Sequence, residues 1–165
     1  MNDEVHIDPW GSTQSTDYSK IIEKFGLSSM ENVSLPSPSR LHRRGIVFAH
    51  RDLEMVLESQ RAGNPFGVLT GLMPSGKMHL GHSMVIDQVK WFQEQGGDVT
   101  IAVADLESTA TRGVSLSEGK RIATEEYVSY YAALGLDPEK TSVYFQSKRN
   151  IVQKLGFQLG KRTNL

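Results

Sequence analysis

The stretch Pro74-Ser75-Gly76-Lys77-Met78-His79-Leu80-Gly81-His82 decides the fold, because it lies where a strand pattern gives way to a helix pattern. Residues 66–71 before it are typical of a buried strand, and residues 80–95 after it carry apolar side chains at helical spacing. Two imidazoles, two glycines and a lysine fall within these nine residues. In an α/β protein, ligands bind at strand-to-helix turns of this kind.

The same alternation of strand and helix continues along the chain. Strands are predicted at 99–104 and 142–146, helices at 52–61, 115–134 and 150–159, and a short strand or turn at 46–49. Because the run 99–104 is apolar on both faces, it belongs in a covered parallel sheet. The alternation therefore predicts an α/β fold with a Rossmann-like parallel sheet, in which the helix after the turn places Val85, Val89 and Phe92 inward.

Residues 1–44 are predicted to form an N-terminal extension, and residues 45–165 the first part of the Rossmann-like domain. The extension carries a short helix that Thr16 or Asp17 caps and Gly26 ends. It closes with a proline-containing linker and a basic cluster made of Arg40, His42, Arg43 and Arg44. This cluster is either a solvated loop or a contact for a phosphate backbone.

Composition restricts the possible functions. The 165 residues carry a formal net charge of -1, so no global basic field indicates a nucleic-acid partner. The absence of cysteine excludes disulfides, thiolate metal sites and a cysteine nucleophile. No apolar run approaches the roughly 18 residues that span a bilayer, and the acidic N-terminus has no signal core. We expect a cytoplasmic protein without a membrane segment, and a chain truncated at its C-terminus.

The two histidines of the turn suit an anion. His79 and His82 are three residues apart, so they share one face of the predicted helix near its first turn. Free N–H groups and the helix dipole already favour negative charge there, and imidazole donors add hydrogen bonds to phosphate oxygens. Gly81 between them lets a flat purine or a ribose approach the helix.

Three other interpretations apply to the same residues. Two histidines at this spacing also occur as metal ligands or as plain surface residues. No carboxylate lies in the same turn, so we expect no metal site. The spacing of Gly71, Gly76 and Lys77 fits a P-loop, but Met78 stands where a serine or threonine binds magnesium, which rejects that motif.

The nine-residue stretch resembles the HIGH signature of class I aminoacyl-tRNA synthetases. With Gly71-Leu72-Met73 in front, it is similar to the subgroup that activates tryptophan and tyrosine. Six more segments match in kind: Pro9-Trp10-Gly11, Arg43-Arg44-Gly45-Ile46, Trp91-Phe92-Gln93, Ala104-Asp105-Leu106-Glu107, Leu134-Gly135-Leu136-Asp137-Pro138 and Tyr144-Phe145-Gln146-Ser147. Nearly the whole chain resembles the amino-terminal part of the archaeal tryptophan-activating branch.

The resemblance implies a two-step reaction, in which an amino acid joins ATP to give an adenylate and then passes to tRNA. It implies L-tryptophan, ATP with Mg²⁺ and tRNA(Trp) as substrates, and a homodimer as the full-length assembly. The catalytic pair would be His79 and His82. The ATP-binding residues would be Pro74, Ser75, Gly76, Lys77, His79, Gly81 and His82. Lys77 fits a solvated loop lysine equally well.

The resemblance also places an amino-acid pocket at two strand ends, lined by Leu69, Gly71, Ala104, Asp105 and Glu107. Asp105 and Glu107 are equally well explained as a loop cap and a solvated acid. Relatives that activate tyrosine commonly carry a hydroxyl-binding tyrosine where Leu69 and Thr70 stand here. A buried phenol needs such a partner, which favours tryptophan.

No Lys-Met-Ser-Lys-Ser-like loop, which closes over pyrophosphate in the family, occurs in these 165 residues. We therefore expect the chain to carry one half of the site and to be inactive alone. The alternatives are a tyrosine–tRNA ligase, a HIGH-superfamily nucleotidyltransferase and a tRNA-binding module without activity. The Pro-Ser-Gly-Lys sequence does not suit the nucleotidyltransferases, and the intact histidines argue against a module that has lost its activity.

Overall fold

The structure, a computed structural model, describes residues 18–162. The chain separates into two compact units, one ending at Gly63 and the other beginning at Asn64. The predicted boundary between an N-terminal extension, residues 1–44, and a Rossmann-like domain that starts at residue 45 stays a prediction. No helix among residues 18–162 is long and apolar enough to cross a membrane.

The first unit consists of short elements: α1 Tyr18–Phe25, β1 Ser28–Ser29, α2 Arg40–Arg43, β2 Ala49–His50 and α3 Leu53–Arg61. Strands β1 and β2 pair in antiparallel orientation. The predicted first helix is confirmed, and it ends before Gly26, whose φ is +57°. Its predicted caps, Thr16 and Asp17, lie outside the described residues. Helix α3 is also confirmed, with Leu53 and Leu57 buried.

The loop interpretation of the basic cluster is wrong in its local structure, because residues 40–43 form the short helix α2. The backbone N–H of His42 donates to the Ser39 hydroxyl at 3.4 Å, and the N–H of Ser39 donates to His42 Nδ1 at 3.1 Å. This reciprocal cap supplies the hydrogen bonds that a loop would have left to water.

The second unit carries the sheet and most of the helices: β3 Gly67–Leu72, α4 Leu80–Glu94, β4 Asp98–Val103, α5 Asp105–Arg112, α6 Leu116–Ile122, α7 Val128–Ala133, β5 Thr141–Phe145 and α8 Asn150–Leu159. The three strands are parallel, in the order β3-β4-β5. This arrangement confirms the predicted α/β fold with a Rossmann-like sheet. Helix α4 ends at two glycines, and Gly96 takes a φ of +100°.

The predicted helix over 115–134 is confirmed, with one feature that the sequence does not announce. Helices α6 and α7 are joined by a π-helical turn over Ala123–Tyr127. Ser115 caps the start, where its hydroxyl accepts the N–H of Glu118 at 3.2 Å. Helix α5 was not predicted, because its polar and β-branched residues show no apolar period.

The core lies on one face of the sheet. Its buried members are Leu72, Ile86, Val89, Val99, Ile101, Ile122, Tyr127, Tyr131 and Leu136. Two expectations fail here. Helix α4 buries Ile86 completely and leaves Val85 37% exposed, so its core-facing stripe is turned by one residue. Strand β3 is not fully buried, since in the described sheet it pairs with β4 alone, and Leu69 is 72% exposed.

Candidate functional site

The two histidines form a reciprocal cap at the start of α4. The N–H of Gly81 donates to His79 Nδ1 at 3.2 Å, and the N–H of His79 donates to His82 Nδ1 at 3.3 Å. The ring centroids are 3.9 Å apart, with the planes inclined at 46°. The structure thus brings together the pair that the sequence singled out, and it adds a capping role for both rings.

The cap fixes which ring nitrogen carries the proton. Because each Nδ1 accepts a backbone N–H, a neutral imidazole at His79 or His82 must carry its hydrogen on Nε2. Protonating Nδ1 would put two donors against each other and break the cap. The geometry therefore leaves Nε2 of each ring as the nitrogen that donates.

The environment of His82 acts in the same direction. Partial burial lowers the pKa of His82, and the neighbouring His79 lowers it further. Desolvation disfavours the charged imidazole, and so does repulsion from a second imidazole that can carry the same positive charge. The ring of Tyr127 is a second neighbour, with its centroid 5.9 Å from that of His82.

The turn before the histidines is fixed from beneath by two hydroxyl groups. Ser108 on α5, fully buried, donates its hydroxyl to the carbonyl of Pro74 at 2.9 Å. Tyr127, 1% exposed, donates its hydroxyl to the carbonyl of Met73 at 3.1 Å. Pro74 is itself buried, whereas Ser75 and Gly76 are exposed. The turn therefore presents its tip to solvent from a rigid base.

A close contact with the His79 ring, rather than the backbone angle, favours glycine at position 81. A Cβ at this position would lie 3.1 Å from His79 Cε1 and 3.2 Å from His79 Nδ1. The imidazole of His79 folds back over the glycine to reach its N–H. Any larger residue would press against the ring that caps the helix.

Lys77 lies away from this pair in a shallow hollow of about 430 Å³. The hollow is lined by Glu125, Glu126, Ser129 and Tyr130 among others, and both acidic residues belong to the π-helical turn. These surroundings fit a surface lysine whose charge is partly offset by nearby carboxylates. A role toward phosphate stays a prediction.

The residues predicted to bind the amino-acid substrate fall into two groups. Leu69 and Gly71 are exposed on β3, on the sheet face that points away from the core. In register with β4, Gly71 lies beside Ala102. Ala104 and Asp105 are buried at the end of β4, 6% and 2% exposed, while Glu107 is exposed on α5. The structure brings Leu69 and Gly71 to one face, and it leaves Glu107 in solvent.

Asp105 ties two strand ends together. Its Oδ1 accepts the N–H of Leu106 at 3.1 Å and the N–H of Ser147 at 3.0 Å, and its Oδ2 accepts the Ser147 hydroxyl. Ser147 follows β5, so this buried carboxylate joins the end of β4 to the loop after β5. A carboxylate with these three donors is held in one orientation.

Three residues that hold the site escaped the sequence reasoning: Ser108, Tyr127 and Ser147. Ser108 lies in the unpredicted helix α5, and Ser147 was noted only as part of a matching segment. Tyr127 lies within the helix predicted over 115–134, for which no functional residue was predicted. The sequence offers one indication of the role of Tyr127: a tyrosine hydroxyl that is buried needs a hydrogen-bond partner. Among residues 18–162, no three histidine, aspartate or glutamate side chains lie close enough to hold a metal ion.

Comparison with known proteins gives a consistent set of relatives. The family model of tRNA synthetases class I (W and Y) matches residues 61–164. The tryptophan–tRNA ligase of Methanosarcina acetivorans is 45% identical over 163 residues, which make up 98% of this chain and 37% of that protein. That of Methanocaldococcus jannaschii is 41% identical over 162 residues, which make up 97% of this chain and 44% of that protein.

A solved structure agrees with these relatives. The tryptophanyl-tRNA synthetase of the archaeon Aeropyrum pernix K1 superposes with a TM-score of 0.77 at 41% identity, over 92% of this chain and 44% of that one. The chain thus spans about 40% of the length of the curated relatives above. The resemblance drawn from the HIGH-like stretch is confirmed. The chain belongs to the class I tRNA synthetases of the tryptophan and tyrosine group.

Proposed function

We propose that this chain provides the ATP-binding part of a tryptophan–tRNA ligase, an enzyme that activates L-tryptophan and transfers it to tRNA(Trp). One observation carries the proposal. Two imidazoles accept backbone N–H groups through Nδ1 at the start of α4, on a parallel sheet, in a chain of this family. The helix dipole and the imidazole donors together favour a phosphate group at this position.

In the first step, a carboxylate oxygen of tryptophan attacks the α-phosphorus of ATP. A new oxygen–phosphorus bond forms as the bond to pyrophosphate breaks, and negative charge grows on the phosphate oxygens. His79 and His82 act as donors through Nε2–H, which strengthens their hydrogen bonds as that charge grows. Mg²⁺ belongs to the ATP substrate, where it offsets the charge of the phosphates.

The remaining ATP residues have positional roles in this proposal. Pro74, Ser75 and Gly76 form the turn that is fixed at its base, and its exposed tip faces the nucleotide. Gly81 leaves room for the His79 ring and for the adenosine. Lys77 approaches the phosphates only if it leaves its acidic neighbours.

The amino-acid pocket lies at the ends of β3 and β4. Leu69 and Gly71 line the pocket from the exposed face of β3, and Ala104 lines it at the end of β4. Asp105 holds its floor, because its oxygens are taken by Leu106 and Ser147. Glu107 contacts tryptophan only if it turns from solvent toward the pocket.

Tryptophan is proposed over tyrosine on two grounds. The apolar Leu69 supplies no hydrogen bond for a phenol, and a site without that partner favours an indole. The relatives above are named tryptophan–tRNA ligases or a tryptophanyl-tRNA synthetase. A tyrosine–tRNA ligase remains the alternative within the family.

A chimera tests the proposal. This chain replaces the matching 163-residue segment of the Methanosarcina acetivorans ligase, which is then assayed for ATP–pyrophosphate exchange. We expect exchange that depends on tryptophan and not on tyrosine. Exchange driven by tyrosine would select the alternative, and no exchange in a folded chimera would contradict both.

The histidine pair is tested in the same chimera. His79→Ala and His82→Ala each remove one donor, and we expect a loss of about 10²- to 10³-fold in the exchange rate. His42→Ala, in the first unit, serves as the matched control. Unchanged exchange in both histidine variants, with the fold intact, would contradict the assigned mechanism.

We further propose that the isolated chain shows little or no exchange, since the family's pyrophosphate-closing loop is not among its residues. Tryptophan-dependent exchange by the isolated chain would overturn this. We also propose a cytoplasmic location and a homodimeric assembly for the whole enzyme, as the resemblance to the family implies. Sedimentation of the chimera measures the assembly directly.

A further inference from the structure

The π-helical turn Ala123–Tyr127 delivers a tyrosine to the underside of the proposed ATP site. Its side chain is 1% exposed, and its hydroxyl donates to the carbonyl of Met73 at 3.1 Å. A π-helical turn shifts the positions that follow it around the helix axis relative to an α-helix, and such turns occur often at functional sites.

Tyr127 contacts the site at two places. Its hydroxyl also lies beside the backbone amides of Ser75 and Gly76, which partly offset the rise in its pKa that burial causes. Its ring faces that of His82, 5.9 Å away between centroids. One side chain therefore touches both the turn and one of the two proposed phosphate donors.

The next tyrosine along the helix offers a contrast. Tyr131 is also buried, at 3% exposed, one turn further on in the same core. Within the described part of the chain, its hydroxyl has no hydrogen-bond partner. The two tyrosines share burial and helix, but only the hydroxyl of Tyr127 holds another segment.

We propose that Tyr127 is a positioning residue of the nucleotide site, whose hydroxyl fixes the Met73–Gly76 turn and whose ring supports His82. The proposal rests on the ATP role proposed above. A tyrosine that served the core alone would need its ring and not its hydroxyl, since the surrounding cluster is apolar.

Tyr127→Phe keeps the ring and removes the hydroxyl, and Tyr131→Phe is its matched control. Both variants of the 165-residue chain are measured for ATP binding by calorimetry and for imidazole titration by NMR. We expect Tyr127→Phe to weaken ATP binding roughly fivefold or more, the worth of one hydrogen bond. We also expect the titration of His82 to move toward that of an ordinary histidine, because the loosened turn admits water to its ring.

Tyr131→Phe should change neither quantity. The groups that face His82 in this test are His79, on its own cap, and Tyr127, on the π-helical turn. A fall in stability alone, equal in the two variants, would overturn the positioning role.

The two proposals fail in different ways. If the unsubstituted chain binds no ATP, the proposed function loses support, and the titration of His82 alone decides the role of Tyr127. A shift in Tyr127→Phe with none in Tyr131→Phe supports that role. An identical titration in all three proteins contradicts it.

Discussion

At the scale of single residues, the site depends on tight packing of the His79 ring against Gly81 in the first turn of α4. His79 folds over Gly81 to accept its N–H, and His82 accepts the N–H of His79. Both histidines therefore act as caps through Nδ1, and Nε2 of each ring is the donor in the proposed mechanism. The sequence showed the pair and its spacing. It could not show the cap, because that depends on side-chain rotamers.

Gly81→Ala separates these two roles. Alanine gains up to about 1 kcal/mol of helix propensity over glycine, but its Cβ would lie 3.1 Å from the His79 ring. His79 is exposed and can swing away, so we expect stability to stay within about 1 kcal/mol. Calorimetry should show ATP binding weakened roughly tenfold or more, since the displaced ring loses its donor geometry. Unaltered ATP binding in this variant would show that the His79 orientation is irrelevant.

The lowered pKa of His82 gives a pH dependence of stability with a definite sign. Below the ordinary value of 6.5, the unfolded chain binds a proton at this histidine that the folded chain resists. The free energy of unfolding therefore falls as the pH drops below about 6.5, and it is fully retained above that value.

His82→Asn keeps an acceptor in place of Nδ1 and cannot titrate. Urea unfolding at pH 7.5 and pH 5.5, conditions of about one unit on either side of the ordinary value, should show a smaller stability loss in this variant. Burial also lowers the pKa of His42, but that contribution is common to both proteins and cancels in the comparison. Equal losses would show that His82 is not held neutral by the fold.

At the scale of elements, the connections between strands and helices position the candidate site more directly than the strands and helices themselves. The strands β3, β4 and β5 and the helix α4 could be predicted from apolar period and glycine punctuation. The facing of α4 could not, because Met84, Val85 and Ile86 are all apolar and only tertiary packing chooses between them. Helix α5 and the π-helical turn escaped because hydrogen bonds and packing fix them, not an apolar pattern.

The joint between α4 and β4 is the tightest of these. A Cβ on Gly97 would lie 2.7 Å from Phe66 Cε2, 2.8 Å from Val68 Cγ2 and 3.1 Å from the carbonyl of Phe92. Gly97→Ala should therefore cost about 1–3 kcal/mol in the free energy of unfolding. Gly156→Ala in α8 is the control, since its Cβ would meet nothing within 4 Å and should be neutral or stabilising. Equal effects of the two variants would contradict this packing.

At the scale of the whole molecule, the nine-residue stretch 74–82 predicted the family, and the alternation of strand and helix patterns predicted the fold. What the sequence left open was the support of the turn. Ser108 and Tyr127 reach it from residues more than 30 positions away, and Asp105 reaches Ser147 over a similar separation. Such long-range polar contacts leave no periodic trace in a sequence, although they hold the turn after β3 and the carboxylate of Asp105.

The central claim is that His79 and His82 contact the triphosphate of ATP. NMR of the five histidines of the chain during titration with ATP measures this directly, and adenosine without phosphates serves as the control ligand. We predict saturable shifts of the Nε2 signals of His79 and His82 with ATP, much smaller shifts with adenosine, and unchanged signals from His42 and His50. Saturable binding of ATP that leaves the signals of His79 and His82 unmoved would contradict the account.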